Sequence, residues 1–248
     1  MDHPPVAGTG SPAVDCCSVV ELRQYTLQPG GREVLIDLFD RHFREGLEAV
    51  GMHVLGEFRD LDDPDRFVWM RGFSGMESRA AALRAFYEES LVWKAHRDEA
   101  NATMVDSDDV LLLRPVNARS GFRATAHGPA RSLVVVTIYY LDGPVDEDFT
   151  TFFASRMTPL MASTGAEPLG CLVTEPAENA YPKLPVRTGE NAFVWFSSFA
   201  GPEAHREHTD LLAGSGEWTG QVAPELIKRL NAEPQRLRLV PTATSRLR

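Results

Sequence analysis

The chain repeats itself, and that limits its fold more than any other feature. Phe67-Val68-Trp69-Met70-Arg71-Gly72-Phe73 returns as Phe193-Val194-Trp195-Phe196-Ser197-Ser198-Phe199, a shift of 126 positions, whereas Tyr25 with Tyr139, Gly51 with Gly165 and Gly56 with Gly170 each give 114. The second copy therefore carries a 12-residue insertion, the difference between the two shifts, after which the register holds as far as Pro115 and Pro241. Two copies share a fold, so chemistry is to be sought where they differ.

Periodicity gives the unit. Val19 to Leu27 alternates as a half-buried strand, Leu35, Leu38, Phe39, Phe43 and Leu47 recur as the apolar stripe of a helix over 32–50, and Gly51 stops it. Met52 to Arg59 and Phe67 to Phe73 read as two strands around the turn Leu61-Asp62-Asp63-Pro64-Asp65. Helical segments over 76–87 and 91–104 follow, closed by Asp106-Ser107-Asp108-Asp109 before a strand over 110–114. The order strand, helix, strand, strand, helix, strand is a ferredoxin-like (βαββαβ) unit, an antiparallel sheet with helices on one face. The second copy repeats it over 132–240, with Phe149, Phe152, Phe153, Met157 and Met161 on its first helix. The fold class is α+β: two tandem ferredoxin-like units packed sheet to sheet as an α+β barrel within one chain. Its divisions are a disordered leader (1–17), a first unit (18–117), a linker (118–131), a second unit (132–242) and a tail (243–248).

If the helices cover the aliphatic side (Val20, Leu22, Val54, Phe58, Val68, Met70), the barrel side of the first copy carries Glu21, Arg23, Tyr25, His53, Glu57, Arg59, Trp69 and Arg71. The matching side of the second copy holds Val135, Thr137, Tyr139, Glu167, Leu169, Cys171, Val173, Trp195 and Ser197, which is mostly apolar. Isolated charges inside a barrel are costly unless paired, so this face is either a structural ladder of Arg and Glu or a furnished site. Trp93, Arg97 and Asn101 stack at intervals of four on one helix stripe, where the second copy keeps only Trp218. The candidate catalytic residues are His53, Glu57 and Arg71; the candidate substrate-binding residues are Arg23, Tyr25, Arg59, Trp69, Trp93, Arg97 and Asn101.

A net charge of −10 argues against nucleic acid or an anionic membrane surface as partner, since phosphate binding needs a basic stripe. The longest apolar run, Leu133 to Leu141, is too short to span a bilayer, and the first 17 residues lack the basic start and apolar core of a signal peptide. Three cysteines make no disulfide framework, and a cytoplasmic setting is the default reading. Turn chemistry explains Asp62, Asp63 and Asp65 before calcium does. His42 reads as a core histidine, and His205 with His208 reads as a solvated pair lacking a third ligand, so no metal is assigned. The chain has no phosphate loop, no G-x-G-x-x-G, no Cys-x-x-Cys and no G-x-S-x-G.

Three ordered stretches, Glu21-Leu22-Arg23-Gln24-Tyr25-Thr26-Leu27, Phe58-Arg59-Asp60-Leu61-Asp62-Asp63-Pro64-Asp65-Arg66-Phe67-Val68-Trp69, and Trp93-Lys94-Ala95-His96-Arg97-Asp98 through Asn101 to Met104, resemble a bacterial NIPSNAP-family domain. The resemblance covers the first copy, about residues 18 to 116; the second shares only its Phe-Val-Trp strand and general pattern. It implies the dimeric α+β barrel superfamily, whose relatives include cofactor-independent monooxygenases, isomerases, polyketide cyclases and haem-handling proteins. It brings no catalytic motif with it.

Two functions compete. As an enzyme, the chain would hold a small apolar or aromatic molecule on the polar face of the first copy, with His53 or Glu57 as general base, Arg23, Arg59 or Arg71 stabilising an enolate or carboxylate, and no bound cofactor. As a ligand-binding or stress-response protein it would use the same cavity without chemistry. The insertion, over 176–190, has no period and is expected as a surface loop lying over the barrel mouth as a lid. Pairing of whole chains as a homodimer is left open by the sequence.

Overall fold

The computed structural model describes residues 17–122 and 132–248; of the expected leader (1–17) residues 1–16, and of the expected linker (118–131) residues 123–131, lie outside the described residues. The first unit contributes β1 (Val19–Leu27), β2 (His53–Asp60), β3 (Arg66–Phe73) and β4 (Met104–Pro115); the second contributes β5 (Leu133–Tyr140), β6 (Gly170–Thr174), β7 (Ala192–Phe199) and β8 (Gln235–Pro241). All eight close into one antiparallel barrel in the order β1-β3-β2-β8-β5-β7-β6-β4. Each unit keeps the strand order of a ferredoxin-like sheet, and two seams join them. β2 pairs with β8, Phe58 opposite Pro241, and β4 pairs with β6, Leu113 opposite Thr174. Neither sheet keeps a free edge.

In the first unit α1 (Gly31–Leu38) runs through a π-helical turn, Phe39–Phe43, into α2 (Arg44–Ala49); α3 (Met76–Arg84) and α4 (Leu91–Ala102) flank a second such turn, Ala85–Glu89. The second unit has α5 (Glu147–Phe152), a π turn at Phe153–Met157, α6 (Thr158–Ser163), α7 (Pro202–Gly214), and a π turn at Trp218–Val222 leading into α8 (Ala223–Ile227). The first π turns fall at matched positions, 114 apart, and so do the left-handed glycines ending these helices, Gly51 (φ 88°) and Gly165 (φ 93°). Among the described residues no helix is long and apolar enough to cross a membrane.

The two faces of the first sheet are the reverse of the sequence expectation. Val20, Leu22, Phe58, Val68 and Met70 point into the barrel, where they meet Val134, Val136, Ile138, Val194, Phe196, Leu237 and Leu239 of the second unit. Glu21, Arg23, Tyr25, Trp69 and Arg71 alternate with them and therefore lie beneath the helices. The physical reason is that two closed sheets share one interior that water and helices cannot reach. Apolar side chains fill such a space without unpaired charge. The helices of the first unit instead present aromatic and polar groups, which a charged sheet face can use.

β2 departs from simple alternation. A bulge between Val54 and Gly56 turns Val54 toward the helices and Leu55 toward the barrel. A Cβ on Gly56 would sit 2.4 Å from the Phe58 ring, so glycine is required there. β4 also begins earlier than expected. Asp106, Ser107, Asp108 and Asp109 lie within it, accommodated by register shifts opposite Gln24 to Leu27. Cys17 packs against Gly72 and is disulfide-bonded. After β8 the chain folds back along β2, with Thr242 N–H donating to Glu57 O and Leu247 N–H to Leu55 O.

Candidate functional site

Between the first sheet and its helices lies a cavity of about 90 Å³. Tyr25 and Trp69 rise from the sheet, Phe39, Phe43 and Leu47 come from the first helix and its π turn, and Phe86, Tyr87 and Trp93 come from the second helical pair. The rings meet at angles: Phe39 and Trp69 at 4.8 Å between centroids, Tyr87 and Trp93 at 4.9 Å, Tyr25 and Trp69 at 6.1 Å. Such edge-to-face arrangements fix ring positions while leaving space between them. π turns widen a helix at the points where side chains must be re-aimed, and here two of them supply Phe39, Phe43, Phe86 and Tyr87.

Behind these rings is a buried charge cluster. Glu21 Oε2 accepts hydrogen bonds from Arg23 Nη1 at 2.6 Å and Arg71 Nε at 2.7 Å, while its Oε1 accepts from Arg79 Nε at 2.6 Å. All four side chains are 0–1% exposed. Burial alone would raise the Glu21 carboxyl, but the charges of Arg71, Arg23 and Arg79 overcome it and hold the group well below the usual carboxylate range. One carboxylate faces three guanidiniums, so the cluster carries a surplus of two positive charges. Two of those guanidiniums reach the cavity wall: Arg23 Nε donates to Tyr25 Oη at 2.9 Å and Arg71 Nη1 to Tyr87 Oη at 3.0 Å. Their charged planes also lie over the Tyr25, Trp69 and Tyr87 rings.

The second unit completes the site. Its insertion covers the helix–sheet cavity of the first unit. Leu184 lines the cavity, Tyr181 is buried with its hydroxyl donating to Glu88 at 3.1 Å, Lys183 reaches the same carboxylate at 2.9 Å, and Asn179 Oδ1 accepts from Arg79 Nη1 at 2.9 Å. Arg187 fastens the far end through Asp109, Tyr140 and Glu190.

The sequence-based candidates divide. Arg23, Tyr25, Trp69, Arg71 and Trp93 come together at the cavity and its backing cluster. Asn101 reaches only the rim. His53 is exposed at the start of β2, Arg59 pairs with Glu33 at the surface, and Arg97 is 55% exposed beside Asp98. Glu57 is buried yet engaged elsewhere, by Arg44 and by the hydroxyl of Thr244. Sequence reasoning missed Arg79 and Tyr87. Arg79 left a signal: with Ala82, Leu83 and Phe86 it occupies the buried stripe of α3 and its π turn, a position where an unpaired cation is untenable.

At the positions of Glu21, Arg23, Arg71 and Arg79 the second unit has Val135, Thr137, Ser197 and His205. Its helix-covered face is apolar, built around Tyr139, Phe153, Phe193 and Trp195. His208 is buried with Nδ1 at 2.8 Å from Thr164 Oγ1, so it is not the solvated partner of His205 that the sequence suggested. Among the described residues no group of three potential metal ligands converges.

No protein-family model matches the chain, and comparison with curated proteins gives no match. Solved structures do. An anthrone oxidase-like protein shares 13% identity over 90% of this chain and 91% of its own, with a TM-score of 0.56. A proposed monooxygenase from Lactobacillus acidophilus shares 14% identity over 90% of this chain and 93% of its own, with a TM-score of 0.53. A NIPSNAP family protein from Agrobacterium tumefaciens, at 18% identity and a TM-score of 0.38, covers 47% of this chain and 99% of its own. The chain thus has the dimeric α+β barrel fold, with both halves of the barrel supplied by one polypeptide.

Proposed function

We propose that the chain binds a small aromatic molecule bearing an acidic hydroxyl in the cavity of the first unit, and that it stabilises the oxyanion of that molecule. The observation that carries this reading is the pairing of two cavity tyrosines with two buried arginines. Each hydroxyl accepts from its arginine and so keeps its own proton to donate. A ligand oxygen set between Tyr25 and Tyr87 would meet two donors whose hydroxyls the guanidiniums hold in place, in surroundings poor in water where such donors act most strongly. The surplus charge of the cluster favours the same anion. At about 90 Å³ the cavity is smaller than the roughly 150 Å³ that accommodates benzene in an engineered core, so binding requires Leu184 and the insertion to draw back.

An electron-rich oxyanion is also the starting point for oxidation without a bound cofactor, in which the substrate supplies the electrons that reduce dioxygen. For anthrone, the ring system in the name of one fold relative, one molecule plus one dioxygen gives one anthraquinone and one water, the methylene carbon becoming a carbonyl. A non-catalytic binding protein is the second reading, and one observation favours it. Among the described residues no base is poised at the cavity: His53 is exposed, Glu57 is tied to Arg44, and Glu21 is held strongly acidic.

The test uses 4-nitrophenol, whose phenolate has its own absorption band. Binding should quench tryptophan emission and lower the pKa of the bound phenol, and Tyr87→Phe should remove most of that lowering. An unchanged pKa in the complex overturns the oxyanion reading. Oxygen consumption with anthrone then separates the two functions: uptake abolished by Tyr87→Phe marks an enzyme, and no uptake with intact binding marks a carrier.

A further inference from the structure

The charge balance beneath the cavity carries an inference beyond the phenol itself, though it rests on the reading of the first unit as a ligand site. Arg71 spends Nε on Glu21 and Nη1 on Tyr87; Arg79 spends Nε on Glu21 and Nη1 on Asn179. Each keeps its second terminal nitrogen, Nη2, buried and without a hydrogen-bond partner among the described residues. The two guanidiniums are 0% exposed and share one carboxylate, Arg71 on Oε2 and Arg79 on Oε1.

A buried guanidinium with an unused donor is costly, and two of them in a cluster already short of two negative charges are more so. A purely structural ladder would match its charges. The second unit shows that the fold does without them, since Val135, Ser197 and His205 stand where Glu21, Arg71 and Arg79 do here. The chain has retained an arrangement that costs stability, and the form of the deficit, two planar N–H donors with net positive charge, matches a planar oxyanion.

We propose that Arg71 and Arg79 form a carboxylate subsite, closed by Asn179 from the insertion of the second unit. Its occupant is the carboxylate of the aromatic ligand or a free carboxylate of similar size; in the first case the natural ligand is an aromatic hydroxy acid. Asn179 connects the subsite to the cavity directly, because its Nδ2 donates to the Leu184 carbonyl and Leu184 lines the cavity. Opening the insertion would therefore expose both parts of the site together.

The experiment titrates the full chain with benzoate, benzyl alcohol and acetate, read by tryptophan quenching and by the shift in melting temperature, for the wild type and Arg79→Met. Benzoate should bind the wild type roughly 10-fold or more tightly than benzyl alcohol, the size expected for hydrogen bonds to a charged group. In Arg79→Met that advantage should fall to about twofold, with the melting temperature in buffer no lower than wild type, since one surplus charge is gone. Acetate binding as tightly as benzoate assigns the subsite to a free carboxylate; weak acetate with tight benzoate assigns it to the ligand. Should Arg79→Met fail to fold, Arg79→Lys, which keeps the charge but has no second terminal nitrogen, must show the same loss. Equal affinity for benzoate and benzyl alcohol in the wild type overturns the subsite and leaves the aromatic site standing. Absence of binding by both overturns the two together.

Discussion

Replacing Glu21 with Gln tests the energetics on which the site depends. The substitution keeps shape and removes the single negative charge among three buried guanidiniums. At about 4 Å between charge centres and an effective dielectric constant of about 20, each Arg–Glu attraction is on the order of 4 kcal/mol gross, so about 12 kcal/mol of attraction vanishes while the Arg–Arg repulsions remain. Desolvating the carboxylate offsets much of this, and the net loss expected on breaking a buried pair is about 3–5 kcal/mol. For a chain of this size that corresponds to a fall of roughly 6–20 °C in melting temperature, measurable by thermal unfolding followed by circular dichroism. The exposed pair Arg59–Glu33 is the control, since Glu33→Gln should cost less than about 1 kcal/mol. The pH arm has a definite sign. The folded-state carboxyl of Glu21 lies below its unfolded value, so its contribution is fully present above about pH 4.3 and is lost as pH falls further toward the folded-state value. A Glu21→Gln variant that melts within about 2 °C of wild type would show that the cluster is neutralised by other means and refute the charge argument.

Three further outcomes follow from the same structure. Replacing residues 178–186 with a short Gly-Ser linker removes Asn179, Tyr181 and Leu184 from the first unit and should weaken 4-nitrophenol binding about 10-fold while the barrel stays folded, as fluorescence titration and thermal unfolding will show. A fragment over 18–120 loses the seams β2–β8 and β4–β6 and should aggregate or dimerise; a soluble monomer in analytical ultracentrifugation would contradict it. His205 and His208 both have pKa values lowered by burial, so the unfolded chain binds more protons below about pH 6.5, and stability should fall on acidification through that window. His208→Gln should flatten this part of the melting temperature profile.

Much of the architecture was legible because a duplicated period leaves few alternatives. The matched glycines Gly51 and Gly165 mark the same helix stop, and the strand order of each unit follows from its alternation of elements. What alternation could not decide was which face of each strand points inward. Val20 and Leu22 on one side and Glu21, Arg23 and Tyr25 on the other fit either a helix-covered or a barrel-facing assignment until closure is considered. A closed, dry interior then selects the aliphatic set. The bulge at Val54 to Gly56 broke the parity again, so His53 pairs with Gly72 and lies exposed, while Glu57 keeps the face of Trp69 but is taken up by Arg44 and has no part in the cavity. Arg79 was readable in principle, a cation in the apolar stripe of α3. The reach of the insertion into the other unit was not, because nothing in an aperiodic loop specifies where it lands.

The measurement that tests the central claim most directly is a crystal structure with 4-bromophenol, whose bromine can be located by anomalous scattering. The account predicts the ring between Trp69, Tyr87 and Trp93 of the first unit, its oxygen within hydrogen-bond reach of Tyr25 or Tyr87, and Leu184 displaced from its present position. Bromine found in the barrel interior, against the apolar face of the second unit, or only on the surface would contradict it.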